Sequence, residues 1–359
     1  MDLLTWVEVV RRDALDDSAR HLAWSDGDLV AACDDGTVCV ATDGVHVRHR
    51  LDAPPTALAV GSGVVLCGAL DGRVVAFSTS GTASAPLGGS ITAAAAIGDG
   101  FVVAHGDRLT VVDVDAAADG ELRTGVTVDP GVGTVTVLDR VAGRMAVVGG
   151  IRGCSWFDGG FCTVDDHHAL PTIVAVASDR RARRVALGDL GGSIHLLQPG
   201  RAESVELTGY PDRVGLLCWT TDGRHLCAAA ADEVTVWTPD DAGHGDSAPP
   251  IWRTAHGNDH EHDDHRSGDD RPDEPLRLVG HDDAITALAA SPTDGLVASG
   301  DAGGHVRLWS PGRLDTPVGT ISADGIVLAL AWRRDGRSLA VSTSDGSLLT
   351  AYVRPGAVA

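Results

Sequence analysis

The chain has 359 residues, a formal charge of −22 at pH 7, Gly at 45 positions and only 4% aromatic residues. Its 28 basic residues are all Arg, and all but seven of its 50 acids are Asp. So acidic a chain repels phosphate, which excludes general nucleic-acid binding. A hydrophobic share of 43% excludes wholesale disorder.

The first 17 residues carry charges throughout and hold no apolar core of leader type. No run approaches the roughly 18 apolar residues of a membrane span. The expectation is a cytoplasmic protein with no membrane contact. Seven Cys (33, 39, 67, 154, 162, 218 and 227) form no C-x-x-C pair. They predict reduced thiols acting as small buried hydrophobes.

Residues 3–10, Leu-Leu-Thr-Trp-Val-Glu-Val-Val, read as a lone strand. A repeating unit follows: an apolar run, a turn, a second apolar run, a sharp Gly/Asp turn and a third apolar run. Leu22-Ala23-Trp24-Ser25-Asp26-Gly27 opens it. The pattern returns at Leu217-Cys218-Trp219-Thr220-Thr221-Asp222-Gly223 and at Leu330-Ala331-Trp332-Arg333-Arg334-Asp335-Gly336. Each sets a Trp at the end of one strand, where packing between neighbouring units would bury it. The second turn recurs at Asp35-Gly36, Asp71-Gly72, Gly106-Asp107, Arg152-Gly153, Gly191-Gly192, Ala231-Asp232, Gly303-Gly304 and Asp345-Gly346. Gly and Asp tolerate positive φ, which tight hairpins require.

Eight strand triplets with a period of about 35 to 45 residues predict an all-β fold, a single β-propeller over residues 1–359. Eight blades are favoured, with seven as the alternative. The last triplet has little chain after it, so the N-terminal strand is expected to close the last blade and hide its edge. His167-His168, after Asp165-Asp166, is expected in a surface loop, since adjacent side chains on a strand point to opposite faces.

Residues 240–275 break the period. They carry 11 acids and three Arg, too polar to fold alone, and predict an acidic His-rich loop inserted before an outer strand near residues 276–278. Within it lie His256, His260, His262 and His265. Imidazole and carboxylate suit zinc or another divalent transition metal, but the spacing is not that of a structural zinc site. The plain alternative is a solvated acidic loop with incidental His. Trp252 stands alone there, either a partner anchor or a tack holding the loop to the propeller.

Gly280-His281, Ile285-Thr286-Ala287-Leu288, Leu296-Val297-Ala298-Ser299-Gly300 and His305-Val306-Arg307-Leu308-Trp309 together resemble a WD repeat. Val234-Thr235-Val236-Trp237 resembles the end of another. The resemblance implies a hydrogen-bonded brace of His, Ser, Asp and Trp. His281, Ser299 and Trp309 are available for it. The Asp position falls on Gly303, with Asp301 two residues earlier. Gly209-Tyr210-Pro211, Arg213-Val214, Cys218-Trp219, Val236-Trp237 and, after a variable loop, residues 278–281 are similar to prokaryotic WD-repeat proteins whose genes often accompany CobW-like metal-chaperone GTPases. That likeness implies a metal-homeostasis setting with such a GTPase as partner. The Asp-rich, Lys-free composition resembles that of salt-loving archaea or GC-rich bacteria.

No Walker loop, G-x-S-x-G elbow or H-E-x-x-H helix occurs. The leading expectation is therefore a non-catalytic protein-interaction scaffold without a cofactor. The alternative is a metal-binding accessory protein acting through the His-rich loop. A third reading is a quinone-dependent enzyme, because Asp71-Gly72-Arg73-Val74-Val75-Ala76-Phe77 is faintly similar to repeats of such propellers, although their Trp-docking motifs are missing.

Overall fold

The computed structural model describes residues 6–42, 44–78, 81–114, 121–143, 145–158, 163–179, 184–199, 204–240, 251–253 and 275–354. Apolar runs of five to eight residues, cut by Gly and Asp turns, are too short for buried helices and suit strands. No helix occurs among the described residues. The strands form eight antiparallel sheets, as expected. Blades 1 to 5 span residues 19–50, 55–86, 91–128, 135–168 and 173–207. Blades 6 to 8 span residues 216–278, 285–322 and 327–354. In each, strand a is innermost and strand d outermost. The inner strand Ala19–Ser25 packs against Pro55–Gly61 on one side and Val327–Trp332 on the other, which closes the ring.

The N-terminal strand, Trp6–Ala14, is the outer strand of blade 8. It pairs antiparallel with Ser347–Arg354, from Trp6 opposite Arg354 to Ala14 opposite Ser347. It runs four residues past the expected end. Arg11-Arg12-Asp13 looks like a terminator, but an outer strand faces solvent and carries charge freely. A bulge between Val9 and Arg11 resets the register there, and Arg11 pairs with Asp13 at 2.6 Å. Val7 and Val9 pack on the core shared by blades 7 and 8.

Blade 6 has a fifth strand. Its third strand, Glu233–Asp240, pairs with Leu276–Leu278 through Val234, Thr235 and Val236. That is the outer strand expected after the insertion. The far end of the same strand pairs with Ile251–Arg253, setting Trp252 opposite Pro239.

Neighbouring blades interlock through glycine. Gly68, Gly149 and Gly300 lie on the second strands of blades 2, 4 and 7. A Cβ on them would lie 2.4 Å from Ile91, 2.8 Å from Ile173 and 2.3 Å from Val327. Those three β-branched residues each begin the next blade's inner strand and are fully buried. Two of the junctions gain a hydrogen bond: Thr136 Oγ1 donates to Ile173 O at 2.6 Å, and Thr286 Oγ1 to Val327 O at 2.5 Å. At the other end of the inner strands, indole N–H groups tie blade to blade. Trp24 donates to Ala331 O (3.0 Å), Trp219 to Ala177 O (3.1 Å) and Trp332 to Ala289 O (3.2 Å).

The turn after strand b also needs glycine. Gly346 has φ +80°, and a Cβ there would stand 2.8 Å from Leu15 O. Its own carbonyl accepts Leu15 N–H at 2.8 Å, tying the last turn to the exit of the N-terminal strand.

Removing residues 1–14 therefore opens an edge, strips a ladder of hydrogen bonds and uncovers part of the blade 8 core. The expected loss is on the order of 4 kcal/mol or more. Chemical denaturation of the truncated and full chains checks it; equal midpoints would contradict the closure.

Candidate functional site

The ring gives two faces. Turns between strands b and c, and loops from strand d to the next strand a, lie on one, the front face. Turns between a and b, and connections from c to d, lie on the back face. Where the inner strands start, the channel opens at the front into a recess of about 680 Å³. Val174, Leu216, Ile285, Ile326 and Leu328 supply its apolar wall, and Arg20, Asp212 and Arg213 its polar rim.

Blade 7 carries the hydrogen-bonded brace, and Asp301 completes it. Trp309 Nε1 donates to Ser299 Oγ at 2.7 Å. Ser299 Oγ and His281 Nε2 are 2.6 Å apart, as are His281 Nδ1 and Asp301 Oδ2. The carboxylate can only accept, so Nδ1 carries the proton, Nε2 accepts the serine hydroxyl, and the ring is neutral. All four residues are buried. Burial lowers the His281 pKa below its ordinary 6.5 against the opposing pull of Asp301. Burial pulls Asp301 upward, but bonds from His305 N and His281 together outweigh it and hold the carboxyl below its usual range.

The Asp therefore comes from position 301, two residues before the expected Gly303. Asp301 ends the second strand, and its Oδ1 also accepts His305 N–H at 2.8 Å, so one carboxylate closes the turn and orients the imidazole. A Cβ at Gly303 would instead meet the Asp283 carboxylate at 2.4 Å.

Other blades use substitutes that the motif does not announce. In blade 6 Tyr210 stands where blade 7 has His281. Trp237 Nε1 donates to its hydroxyl at 2.8 Å, and Thr235 Oγ1 lies 2.6 Å away. In blade 5 Asp189 accepts Gly191 N–H and Ser193 N–H and meets His195 Nε2 at 2.8 Å. In blade 3 His105, Thr110 and Thr127 form a chain of 2.8 Å contacts. On the back face, Arg184 and Asp179 form a buried ion pair at 2.7 Å between blades 5 and 6, with the guanidinium 4.7 Å from the Trp219 ring.

A model of the family described as WD domain, G-beta repeat, matches residues 274–310. These span the outer strand of blade 6, the brace loop and the first three strands of blade 7. Over its whole length the chain is similar to the Dos1 propeller (TM-score 0.74, 13% identity, 97% of this chain and 95% of that one). It is likewise similar to the WD40 propeller domain of Doa1 (0.59, 12%, 97% of each chain). The chain is a β-propeller whose residues 274–310 match a WD repeat. It also resembles the computationally designed Ika8 protein (0.69, 21%, 98% of this chain and 99% of that one). A 72-residue stretch is 35% identical to the Periodic tryptophan protein 2 homolog of Neurospora crassa. The match takes in 20% of this chain and 8% of that protein's length.

The remaining predicted site residues of this propeller are not brought together. His256, His260, His262 and His265 lie outside the described residues. Among the described residues, no group of three or more His, Cys, Asp or Glu is placed to hold a metal. The backbone of Trp252 lies in the short extra strand of blade 6. His168, expected in a loop, ends the outer strand of blade 4 opposite Cys154; an outer strand pairs on one side only and tolerates polar residues. The six cysteines among the described residues are free thiols, Cys218 directly across from Cys227.

Burial holds the pKa of His281, His21, His105 and His225 below 6.5. The unfolded chain thus binds these protons more tightly, so the stability they contribute is whole above pH 6.5 and is lost as the pH falls below it. Asp301 adds a loss below its ordinary 3.8. His281→Ala takes the imidazole from Asp301 Oδ2 and from the Ser299 hydroxyl hydrogen, at an expected cost of about 2–4 kcal/mol at pH 7.5. The deficit should narrow by pH 5, where the wild type loses the His281 contribution. Denaturation midpoints across this range check it; a constant deficit would contradict the neutral-imidazole brace.

Proposed function

We propose that this propeller is a non-catalytic protein-interaction scaffold. The observation that supports it most is how its buried polar groups are used. His281, Asp301, Ser299, Tyr210 and Asp189 are engaged in bracing turns. What reaches solvent is a rigid ring with loops on two faces and an open recess at its centre. Such a frame holds recognition loops in place without itself performing chemistry.

A second, compatible reading is a metal-linked accessory role in the cytoplasm, with a CobW-like GTPase as partner. One observation favours it. Ile251–Arg253 and Leu276–Leu278 both pair with the third strand of blade 6. They bracket the sequence carrying His256, His260, His262 and His265, so both ends of that segment are held at one blade. Residues 240–275 carry a charge of −8, which favours divalent cations.

Affinity capture from the native organism at its native salt, with and without a chelator, tests both. The scaffold reading expects a reproducible protein partner. The metal reading expects that partner to be a GTPase lost on chelation, and zinc titration heats that vanish when residues 254–268 are deleted. No reproducible partner would contradict the first; chelator-blind capture with equal heats would contradict the second.

A further inference from the structure

Two cysteines face each other in blade 6. Cys218 lies on the inner strand Leu216–Trp219, and Cys227 lies on the next strand, Leu226–Ala230. The strands run antiparallel, with Cys218 directly opposite Cys227. Two steps along the same register, Thr220 N–H donates to His225 O at 2.9 Å. By alternation Cys218 and Cys227 are also a hydrogen-bonded pair, whose Cα atoms stand about 5.5 Å apart. A disulfide spans Cα separations of about 4.4–6.8 Å. Directly opposed residues share a face of the sheet. Here that face is the core between blades 6 and 7, where Cys227 packs with Val297 and Trp309 and Cys218 lies against the same cluster.

Among the described residues no other cysteines are set this way. Cys33 and Cys39 share a core cluster in blade 1, but Cys39 stands opposite Ala31. The two are diagonal neighbours, about 7–8 Å apart at Cα, which is beyond the reach of a disulfide. Cys67 and Cys154 are buried with no cysteine opposite. Nor does the fold require sulfur in blade 6. Blades 1 and 8 repeat the neighbouring Trp–Leu pair, as Trp24 opposite Leu29 and Trp332 opposite Leu339. Beside it they place Ala23 with Val30 and Ala331 with Ala340.

The two thiols differ in access. Cys227 is fully buried, whereas Cys218 is partly exposed. Cys218 is two residues beyond Leu216, which forms part of the recess wall. Alternation puts both side chains on the same side of that strand. A small oxidant entering by the channel therefore meets Cys218 first. The neighbouring Cys218 thiol and burial push the Cys227 thiol up, so Cys227 stays protonated until it is called on.

We infer that Cys218 and Cys227 form a peroxide-responsive dithiol, oxidised to a disulfide that staples the channel-lining strand of blade 6 to its neighbour. The site is independent of the scaffold reading. Cys218 Sγ, as thiolate, attacks one oxygen of hydrogen peroxide. The O–O bond breaks, hydroxide leaves and takes the Cys218 proton to become water, and Cys218 is left as a sulfenic acid. Cys227 Sγ then attacks Cys218 Sγ. The S–O bond breaks, and the departing hydroxide takes the Cys227 proton as a second water. Two thiols have lost two electrons and one peroxide has become two waters. A thiol reductant reverses the bond by exchange. Such a reversible disulfide suits a reducing compartment, where bonds of this kind are transient and report oxidant.

The test treats the full chain with hydrogen peroxide, alkylates the remaining thiols and maps tryptic peptides by mass. Cleavage after Arg213, Arg224 and Arg253 puts Cys218 in residues 214–224 and Cys227 in residues 225–253. The two peptides should appear joined, lighter by two hydrogens than their sum, and should separate on reduction with dithiothreitol. Cys33 and Cys39 should be alkylated. Cys218→Ala and Cys227→Ala place at each position the residue that blade 8 carries there, and the melting curves of the reduced variants verify folding. In Cys227→Ala the reaction should stop at a sulfenic acid on Cys218, trapped by dimedone. In Cys218→Ala, Cys227 should remain a thiol. The oxidised wild type should unfold at a higher denaturant midpoint than the reduced form, a shift that both variants lack. Full alkylation of Cys218 and Cys227 at peroxide levels that oxidise free glutathione would overturn the site, as would linkage of Cys33 to Cys39 in their place. Equal midpoints for the bridged and reduced chains would overturn the staple.

Discussion

At three of the eight junctions, blades meet where a β-branched side chain fills the space that a glycine leaves open. Ile91 enters at Gly68, Ile173 at Gly149 and Val327 at Gly300, each at the first residue of an inner strand. This contact sets how closely one sheet approaches the next, and so how the ring turns. An added methyl would force the blades apart, because buried interiors are close-packed and yield little. The indole bonds of Trp24, Trp219 and Trp332 fasten the opposite ends of the inner strands. At the junction of blades 7 and 8 both ends are held, by Val327 in the Gly300 space and by the Trp332 bond to Ala289 O. The chain needs one more fixing, at its ends, and the strand Trp6–Ala14 supplies it.

A ring fixed in this way frees its connections from holding shape. Their polar groups are organised locally: Asp301, Asp189 and Asp345 bond the backbone of their own turns. The rest of each connection can then vary without cost to the fold. Among the described residues, five of the eight exposed large hydrophobic side chains lie on connections of the side where the inner strands begin. Frame and surface thus obey different rules within the same forty residues.

Much of this was legible in the sequence, for physical reasons. A Trp at a strand end followed by Asp-Gly carries both a packing position and a turn geometry, so blade boundaries could be read directly. The clasp followed from a lone strand at one end and a missing one at the other. Other features were hidden. Asp301 is two residues from the place the motif assigns, because the hydrogen bond depends on where the strand ends and not on a count back from Trp309. Tyr210 replaces His281 in blade 6 with a different atom in the same role. Nothing in the sequence sets Gly68 and Gly300 apart from other glycines, yet they are where the blades interlock. Which exposed apolar side chains share a face cannot be read until each turn is assigned to a side, although Leu70, Ile151 and Leu190 stand at the head of their Gly/Asp turns in the sequence.

The interlock is tested most directly by a double-mutant cycle at one junction, with stability measured by reversible denaturation of Gly300→Ala, Val327→Ala and the double variant. Gly300→Ala alone is expected to cost about 1–3 kcal/mol by overpacking, and Val327→Ala alone a comparable amount by the space it empties. In the double variant the new methyl fills part of that space, so its loss should fall short of the summed single losses by about 1 kcal/mol or more. Strict additivity would mean that the two residues do not share a socket, and that something else sets the spacing of the blades.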